Sequence, residues 1–380
     1  MDVREHRVKF VVAAERGDKP FNQLCQEFGI SRPTGYLWFR RYQLHGLEGI
    51  QELSRRPQHI PRHTSGELER LVVQFRLRYP DWGARKLQVV LSREGVSLTH
   101  STIHRTLLRF DMLRHDKIRA QANTRFEREQ PNELWQMDFK GSCGWPGSVG
   151  PLSVIDDHSR YVTVLQALGS TAGGPVRERL EQAFCECGVP QAMLMDHGIP
   201  WWSARSPSGF TQLGIWLMKQ GIRLYWSGVR HPQTQGKVER FHGELQRAVD
   251  RRGVSRDLQV WLERFRWEHN HVRPHEALAM RTPAQVWLPS PRPFQPQPPA
   301  WEYPSGWKVL KVDCQGKVDA WGQRWQIAQA LAGERIGLQR FGERAHVYYC
   351  ATLIRELDFV NHRSLLVDRW IPTDLPSSEL

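Results

Sequence analysis

Apolar and polar positions along the chain fall into two regimes. Up to about residue 115 apolar residues recur at helical spacing, and from about 133 they alternate or form short runs. In VREHRVKFVVAAE, Val8, Val11 and Val12 stand at i, i+3 and i+4, which predicts a helix. GDKP breaks it, with Pro20 suited to opening the next helix. FNQLCQEF predicts a short second helix packed through Phe21, Leu24 and Phe28. After the GIS turn, SRPTGYLWFRRYQLHG predicts a third, with Ser31 as cap and Pro33 in the first turn, where no amide hydrogen is needed. Two short helices around a Gly-containing turn have the arithmetic of a helix-turn-helix over residues 1–53. Its third helix is expected to present Arg32, Thr34, Arg40 and Arg41 to DNA, while Leu37 and Phe39 help to bury it.

The arrangement recurs over 64–115. ELERLVVQFRLRYP carries Leu68, Leu71, Val72 and Phe75 on one stripe, and GARKLQVVLSREG and LTHSTIHRTLLRFDML follow as two further helices. A three-helix bundle with no nucleic-acid role is the plainer alternative for each unit. Between them, 54–63 carries Pro57, Pro61 and a basic run. This reads as an extended linker whose Arg55 and Arg56 would follow a phosphate backbone or a minor groove.

Beyond 128 the pattern predicts a mixed α/β unit reaching to 288. ELWQMDFKG alternates, with Trp135, Met137 and Phe139 on one face and Gln136, Asp138 and Lys140 on the other. VGPLSVIDDHSRYVTVLQAL predicts a hairpin with a polar tip. Helix, strand, helix, strand and two helices complete the unit. Residues 289–304 are proline-rich and predict a semi-rigid spacer. Short strands broken by Gly turns over 305–380 predict a small all-β barrel. The expected fold class is therefore multidomain: helical N-terminal modules, a mixed-sheet α/β core and a C-terminal barrel.

Composition narrows the function. No run approaches the 18 or so apolar residues of a membrane span, and MDVREHRVKF lacks the apolar stretch of a signal peptide. The six cysteines, at 25, 143, 185, 187, 314 and 350, include no CxxC pair, so neither a disulfide framework nor a zinc module is expected. A soluble cytosolic protein with reduced thiols follows. The formal net charge of +13 points to a polyanionic partner, and residues 1–130 hold 24 Lys/Arg against 15 Asp/Glu.

Three acids stand out by position. Asp138 lies on the polar face of the first strand, and Asp196 ends a later one, at the edge where open α/β sheets place their sites. Glu239 lies in the first turns of a helix whose stripe is Val238, Phe241, Leu245 and Val249, and falls at the stripe's edge, facing the sheet rim. Asp156 and Asp157 sit at a hairpin tip, where Asp is ordinary turn chemistry. Three converging carboxylates would repel one another unless a cation lay between them, and hard divalent metals take oxygen ligands. Acids plus a basic arm suggest metal-dependent phosphoryl transfer on DNA.

WQMDFKG, MDHGIPW and HPQTQGKVERFH, in that order and on those elements, resemble the acidic motifs of the retroviral-integrase-type DDE superfamily. More narrowly, the chain resembles IS481-type insertion-sequence transposases, related to the IS3 group. The likeness takes in the paired helical modules, the LSRRPQ linker, the core and its NHVRPHEAL and TPAQVW tail. It implies an RNase H-like core in which Asp138, Asp196 and Glu239 bind two Mg²⁺ or Mn²⁺ ions. Lys237 and Arg240 would contact phosphates near the cut, and Gln235, which with Gly236 completes the Q-G-K-x-E-R run, would also meet DNA. The implied reactions are cleavage at element ends and strand transfer, by water and then a 3′-hydroxyl, with no covalent protein intermediate. Implied partners are double-stranded DNA, as terminal repeats and target, and further copies of the chain, in a prokaryotic cytoplasm and with no membrane.

Two features depart from the pattern. His197 follows the second Asp where Asn is common, and WWSARSPSGFTQ lengthens the step from Asp196 to Glu239 to 43 positions. That Trp-rich loop would either stack on bases or lid the core. The competing class is a DNA-binding repressor or domesticated protein whose core no longer cuts.

Overall fold

The computed structural model describes residues 3–51, 64–113, 127–141, 149–203, 208–227 and 235–367. Arg55, Arg56, Cys143 and the HPQT of the third motif lie outside the described residues. The chain divides into two compact units, Met1–Thr64 and Ser65–Leu380.

The first unit holds α1 (Val3–Arg16), α2 (Phe21–Glu27) and α3 (Arg32–His45). Ser31 caps α3 by accepting from the Thr34 amide at 3.4 Å. Phe10, Val11, Leu24, Cys25 and Ile50 form its core. Gly35 lets α3 approach that core: a Cβ there would lie 2.7 Å from Cys25 Sγ and 2.9 Å from the Phe10 ring. With Gly35 inward, about 100° per residue brings Trp38 and Phe39 inward and turns Leu37 away. Trp38 accordingly packs on the core, whereas Leu37, expected to bury the helix, is 47% exposed. Arg32 and Arg40 are exposed and Arg41 and Thr34 half-buried. Thr34 is engaged in the cap, and Arg32 donates to Asn22 at 2.5 Å.

The second unit begins with α4 (Gly66–Arg78), α5 (Ala84–Arg93) and α6 (His100–Arg109), closed around Val72, Trp82, Leu87, Leu91, Ile103 and Leu107. Ser65 and Thr99 cap α4 and α6. Next come β1 (Trp135–Phe139), β2 (Pro151–Asp156), β3 (Val162–Ala167), α7 (Gly173–Cys187), β4 (Ala192–Met195), α8 (Gln212–Lys219), β5 (Arg223–Trp226), α9 (Gly236–Arg252) and α10 (Leu258–His271). The sheet order is β3-β2-β1-β4-β5, with β1, β2 and β3 antiparallel and β1, β4 and β5 parallel. Trp135 and Met137 face α7 and α8 across one core. On the other face Ile155, Val162 and Leu165 pack against Val238, Phe241, Leu245, Leu262 and Phe265 of α9 and α10. Each fully buried Leu or Phe contributes about 1.5–3 kcal/mol, so this interface holds α9 firmly to the sheet.

The proline-rich segment is strapped down rather than free. Arg292 donates to the carbonyls of Pro190, Gln220 and Gly221 at 2.6, 2.8 and 3.0 Å, and its own carbonyl accepts from the Val189 amide at 2.8 Å. Phe294 packs on Phe184 and Trp216.

The strands beyond it are β6 (Lys308–Lys311), β7 (Lys317–Ala320), β8 (Gln323–Gln326), β9 (Arg335–Phe341), β10 (Arg344–Tyr349), β11 (Thr352–Asp358) and β12 (Arg363–Leu366). They do not close into the expected barrel. Among the described residues they form an open sheet, β12-β11-β10-β9-β6, with β7 and β8 paired separately. The β7–β8 pair bonds to itself instead of bridging the edges, and the edge strands are four residues long and carry Lys308, Lys311 and Arg363. Short, charged edges of this kind discourage further pairing. This sheet shares a hydrophobic cluster with the α/β core, and Thr352 bonds the backbone of Leu224 and Ile222.

Candidate active site

Adjacent parallel strands end at one edge of a sheet, so β1 and β4 deliver Asp138 and Asp196 side by side. Glu239 enters from the first turn of α9, which packs over β1 and β2. The Asp138 side chain is 22% exposed, and Glu239 is exposed. Burial, together with the carboxylates of Asp196 and Glu239, pushes the Asp138 carboxyl up to about 7, against a lowering hydrogen bond from the Phe139 amide. The charges of Asp196 and Glu239 thus both reach Asp138 at this edge. Carboxylate oxygens are the donor type that a hard divalent cation takes.

Each acid is held differently. One oxygen of Asp196 accepts from the Gly198 amide at 2.9 Å and from the indole Nε1 of Trp201 at 2.6 Å. Trp201 is buried and stacks on Phe139, the residue after Asp138, at 5.6 Å between centroids. His197 bonds the Ser227 carbonyl at 3.0 Å, linking the ends of β4 and β5. Trp202 packs edge-on against Trp226. In the described part of the Trp-rich loop, Trp201 and Phe210 are buried in the core and Trp202 is partly buried against it.

His242 was not anticipated. It lies one helical turn after Glu239, and its Nε2 meets Ser153 Oγ at 3.0 Å while Nδ1 lies 3.7 Å from Asp138. Burial, aided by Lys140, pushes its pKa down to about 3, so it stands beside Asp138 as a neutral ring. Helical spacing from Glu239 was the signal that could have found it.

The basic residues flanking Glu239 diverge. Arg240 is exposed. Gln235 is buried at the mouth of α9. The Lys237 side chain is 13% exposed and ion-paired at 2.8 Å with Asp157. Asp156 and Asp157, read from sequence as turn-tip residues, are both fully buried. Asp156 accepts from the Asn132 and Ser159 amides at 2.7 Å each. Asp157 accepts from the Arg128 amide and the Gln136 side chain at 2.8 Å each. Ser159 is the local turn partner of Asp156, whereas Asn132, Arg128 and Gln136 come from distant segments, which local turn chemistry does not reveal.

A second cluster lies toward the other end of α9. Glu244, His269 and His275 bring ligand-type atoms within 4.8 Å of one another, all buried. Arg273 lies 3.2 Å from Glu244 and 2.9 Å from Asp81, and Arg252 also reaches Asp81, at 2.9 Å. Burial opposes the Glu244 charge, yet Arg273 and His269 hold its carboxyl well below the usual range. With Arg273 and Lys86 already facing it, the cluster is an ion-pair hub that ties α4–α6 to α9 rather than a cation site.

Residues 128–232 and 220–283 match the family description "Integrase core domain". Residues 6–58 match "Helix-turn-helix domain" and residues 34–107 "Homeodomain-like domain". The chain is 26% identical over 235 residues to the uncharacterized 31.7 kDa protein of insertion element IS407 from Burkholderia multivorans, covering 59% of this chain and 82% of that one. It is 25% identical over 121 residues to a putative transposase for insertion sequence element IS986/IS6110 from Mycobacterium tuberculosis, covering 28% of this chain and 44% of that one. Among solved structures it is similar to the HTLV-2 integrase catalytic core domain in complex with magnesium, at 16% identity and a TM-score of 0.33, over 42% of this chain and 97% of that one.

Proposed function

Because the chain belongs to the integrase-core transposases of insertion elements, DDE-type polynucleotidyl transferases, we propose that it cuts DNA at its element's ends and joins them to target DNA. In this reading Asp138, Asp196 and Glu239 are the catalytic triad. The observation that carries it is the placement of Asp138 and Asp196 on the adjacent parallel strands β1 and β4, with Glu239 in the first turn of the helix that packs over β1 and β2. Their oxygens would hold Mg²⁺ or Mn²⁺, as two ions, which when bound activate the attacking oxygen and stabilise the leaving one.

The chain's own residues prepare that chemistry. Trp201 and Gly198 bond one Asp196 oxygen, and the other would take the ligand. Neutral His242 adds no charge beside Asp138. Arg240, exposed next to Glu239, is placed to meet a phosphate of the bound strand. The helix-turn-helix of the first unit reads the terminal repeats through Arg32, Arg40 and Arg41, and Arg55 and Arg56 would follow the phosphate backbone or a minor groove. Holding two ends together calls for several copies of the chain. The paired helical modules and the Q-G-K-x-E-R run support the narrower IS481-type assignment.

The test is a strand-transfer assay with the full chain, Mg²⁺, a duplex carrying the element's terminal repeat with a free 3′-hydroxyl, and a supercoiled plasmid. Covalent joining of duplex to plasmid is expected. Specific binding with no joining would instead support the repressor reading.

A further inference from the structure

Asp157 is a fully buried carboxylate in contact with the start of the helix that carries Glu239. Its Oδ1 pairs with Lys237 Nζ at 2.8 Å and accepts from Gln136 Nε2 at 2.8 Å, while Oδ2 accepts from the Arg128 amide. Gln136, also fully buried, turns its other end to α9: its Oε1 accepts from the Val238 amide at 3.2 Å. That amide belongs to the first turn, whose donors have no partner within the helix. The residue before the helix, Gln235, makes no side-chain cap. Gln136 therefore does the work of a cap, reaching across from the sheet.

The geometry links the acids. Gln136 stands two residues before Asp138, and alternation along a strand puts both on the same face. Lys237 and Val238 are the two residues immediately before Glu239. Asp157, at the end of β2, grips Lys237 directly and Val238 through Gln136. Both contacts bear on the start of α9, the one element of the triad that does not come from a strand.

We propose that Asp157 and Gln136 are positioning residues that fix the first turn of α9, so that Glu239 faces Asp138 and Asp196, and that Lys237 serves this strut rather than a DNA phosphate. The inference rests on Glu239 as a metal ligand. Loosening the strut lets the third carboxylate drift and weakens cation binding without removing any ligand. Loss of a partner that orients a ligand typically costs about 10–100-fold in metal affinity.

The test compares Asp157→Asn, Gln136→Met and Lys237→Met in the full chain, with Glu239→Gln as reference. Mn²⁺ binding is read by calorimetry, joining is followed across a Mn²⁺ titration, and affinity for terminal-repeat DNA is measured over a range of salt. Each strut variant should shift Mn²⁺ binding and half-maximal joining to about ten-fold higher Mn²⁺, with DNA affinity and its salt slope unchanged. Asp157→Asn with Lys237→Met removes both charges together and should cost less than the two single changes summed. It also covers the case in which Asp157→Asn alone, leaving Lys237 buried without its Asp157 partner, fails to fold. Wild-type Mn²⁺ dependence in folded Gln136→Met and in the double variant would overturn the proposal. So would Lys237→Met that weakens DNA binding and flattens its salt slope without moving the Mn²⁺ dependence. A fully active Glu239→Gln would instead overturn the triad itself, a separate outcome.

Discussion

Asp138→Asn should stabilise the protein while removing its activity. In the folded chain the Asp138 carboxyl titrates near 7 rather than near 3.8, through burial and the charges of Asp196 and Glu239. Below pH 4 both folded and unfolded chains carry the proton, and the residue makes no difference. Between about 4 and 7 the unfolded chain releases the proton and the folded chain keeps it, so stability falls as pH rises. Above 7 the penalty is fully present. At about 1.36 kcal/mol per pH unit its ceiling is about 4 kcal/mol. Because the side chain is 22% exposed, and an amide needs partners of its own, a gain of about 1–3 kcal/mol is expected. Urea unfolding of wild-type and variant protein, freed of divalent ions by chelation, measures it at pH 8 and at pH 5. The midpoint of the variant should lie clearly higher at pH 8 and only slightly higher at pH 5. Adding Mg²⁺ should raise the wild-type midpoint and leave that of the variant nearly unchanged, because ligand binding to the folded state adds stability. A variant no more stable at pH 8 than at pH 5, relative to wild type, would refute the raised Asp138 carboxyl on which the reasoning rests.

Other expectations follow from particular contacts. Arg273→Leu leaves Glu244 buried and Asp81 with one partner fewer, so thermal unfolding should report a loss of about 3–5 kcal/mol; an unchanged midpoint would contradict the hub. Trp201→Phe keeps an aromatic ring against Phe139 and deletes the bond to Asp196. Half-maximal joining should then need about ten-fold more Mn²⁺, and a wild-type titration curve would dismiss that role. Affinity for terminal-repeat DNA should fall steeply and linearly on a log–log plot against salt, as counterion release requires; a flat dependence would rule out the basic arm as the binding surface.

What could be read from sequence follows from the range of each interaction. The stripe on α9 placed Val238, Phe241, Leu245 and Val249 inward, because helical geometry is local; the first three are buried, while Val249 is half-buried beside the buried Ala248, and Glu239 is exposed. Glu244, on the same helix, gave no such sign. Its burial depends on Arg273, 29 residues later in the chain. Asp157 looked like a turn residue for the same reason: Arg128, Gln136 and Lys237 meet it from three separate segments. Proline content announced that 289–304 was stiff, yet not that Arg292 would bind three carbonyls of the core. Strand periodicity over 305–380 located strands, whereas closure depends on how the edges meet, which periodicity does not encode. On α3, Leu37 was misplaced because Gly35, with no side chain to signal burial, marks the inward face.

The most direct test of the central claim sets end binding against end joining in the triad variants. Asp138→Asn, Asp196→Asn and Glu239→Gln, each in the full chain, should bind terminal-repeat DNA with near wild-type affinity. Each should give no joined product in Mg²⁺ under conditions where the wild-type chain joins readily. Joining by any of the three at the wild-type rate would contradict the account.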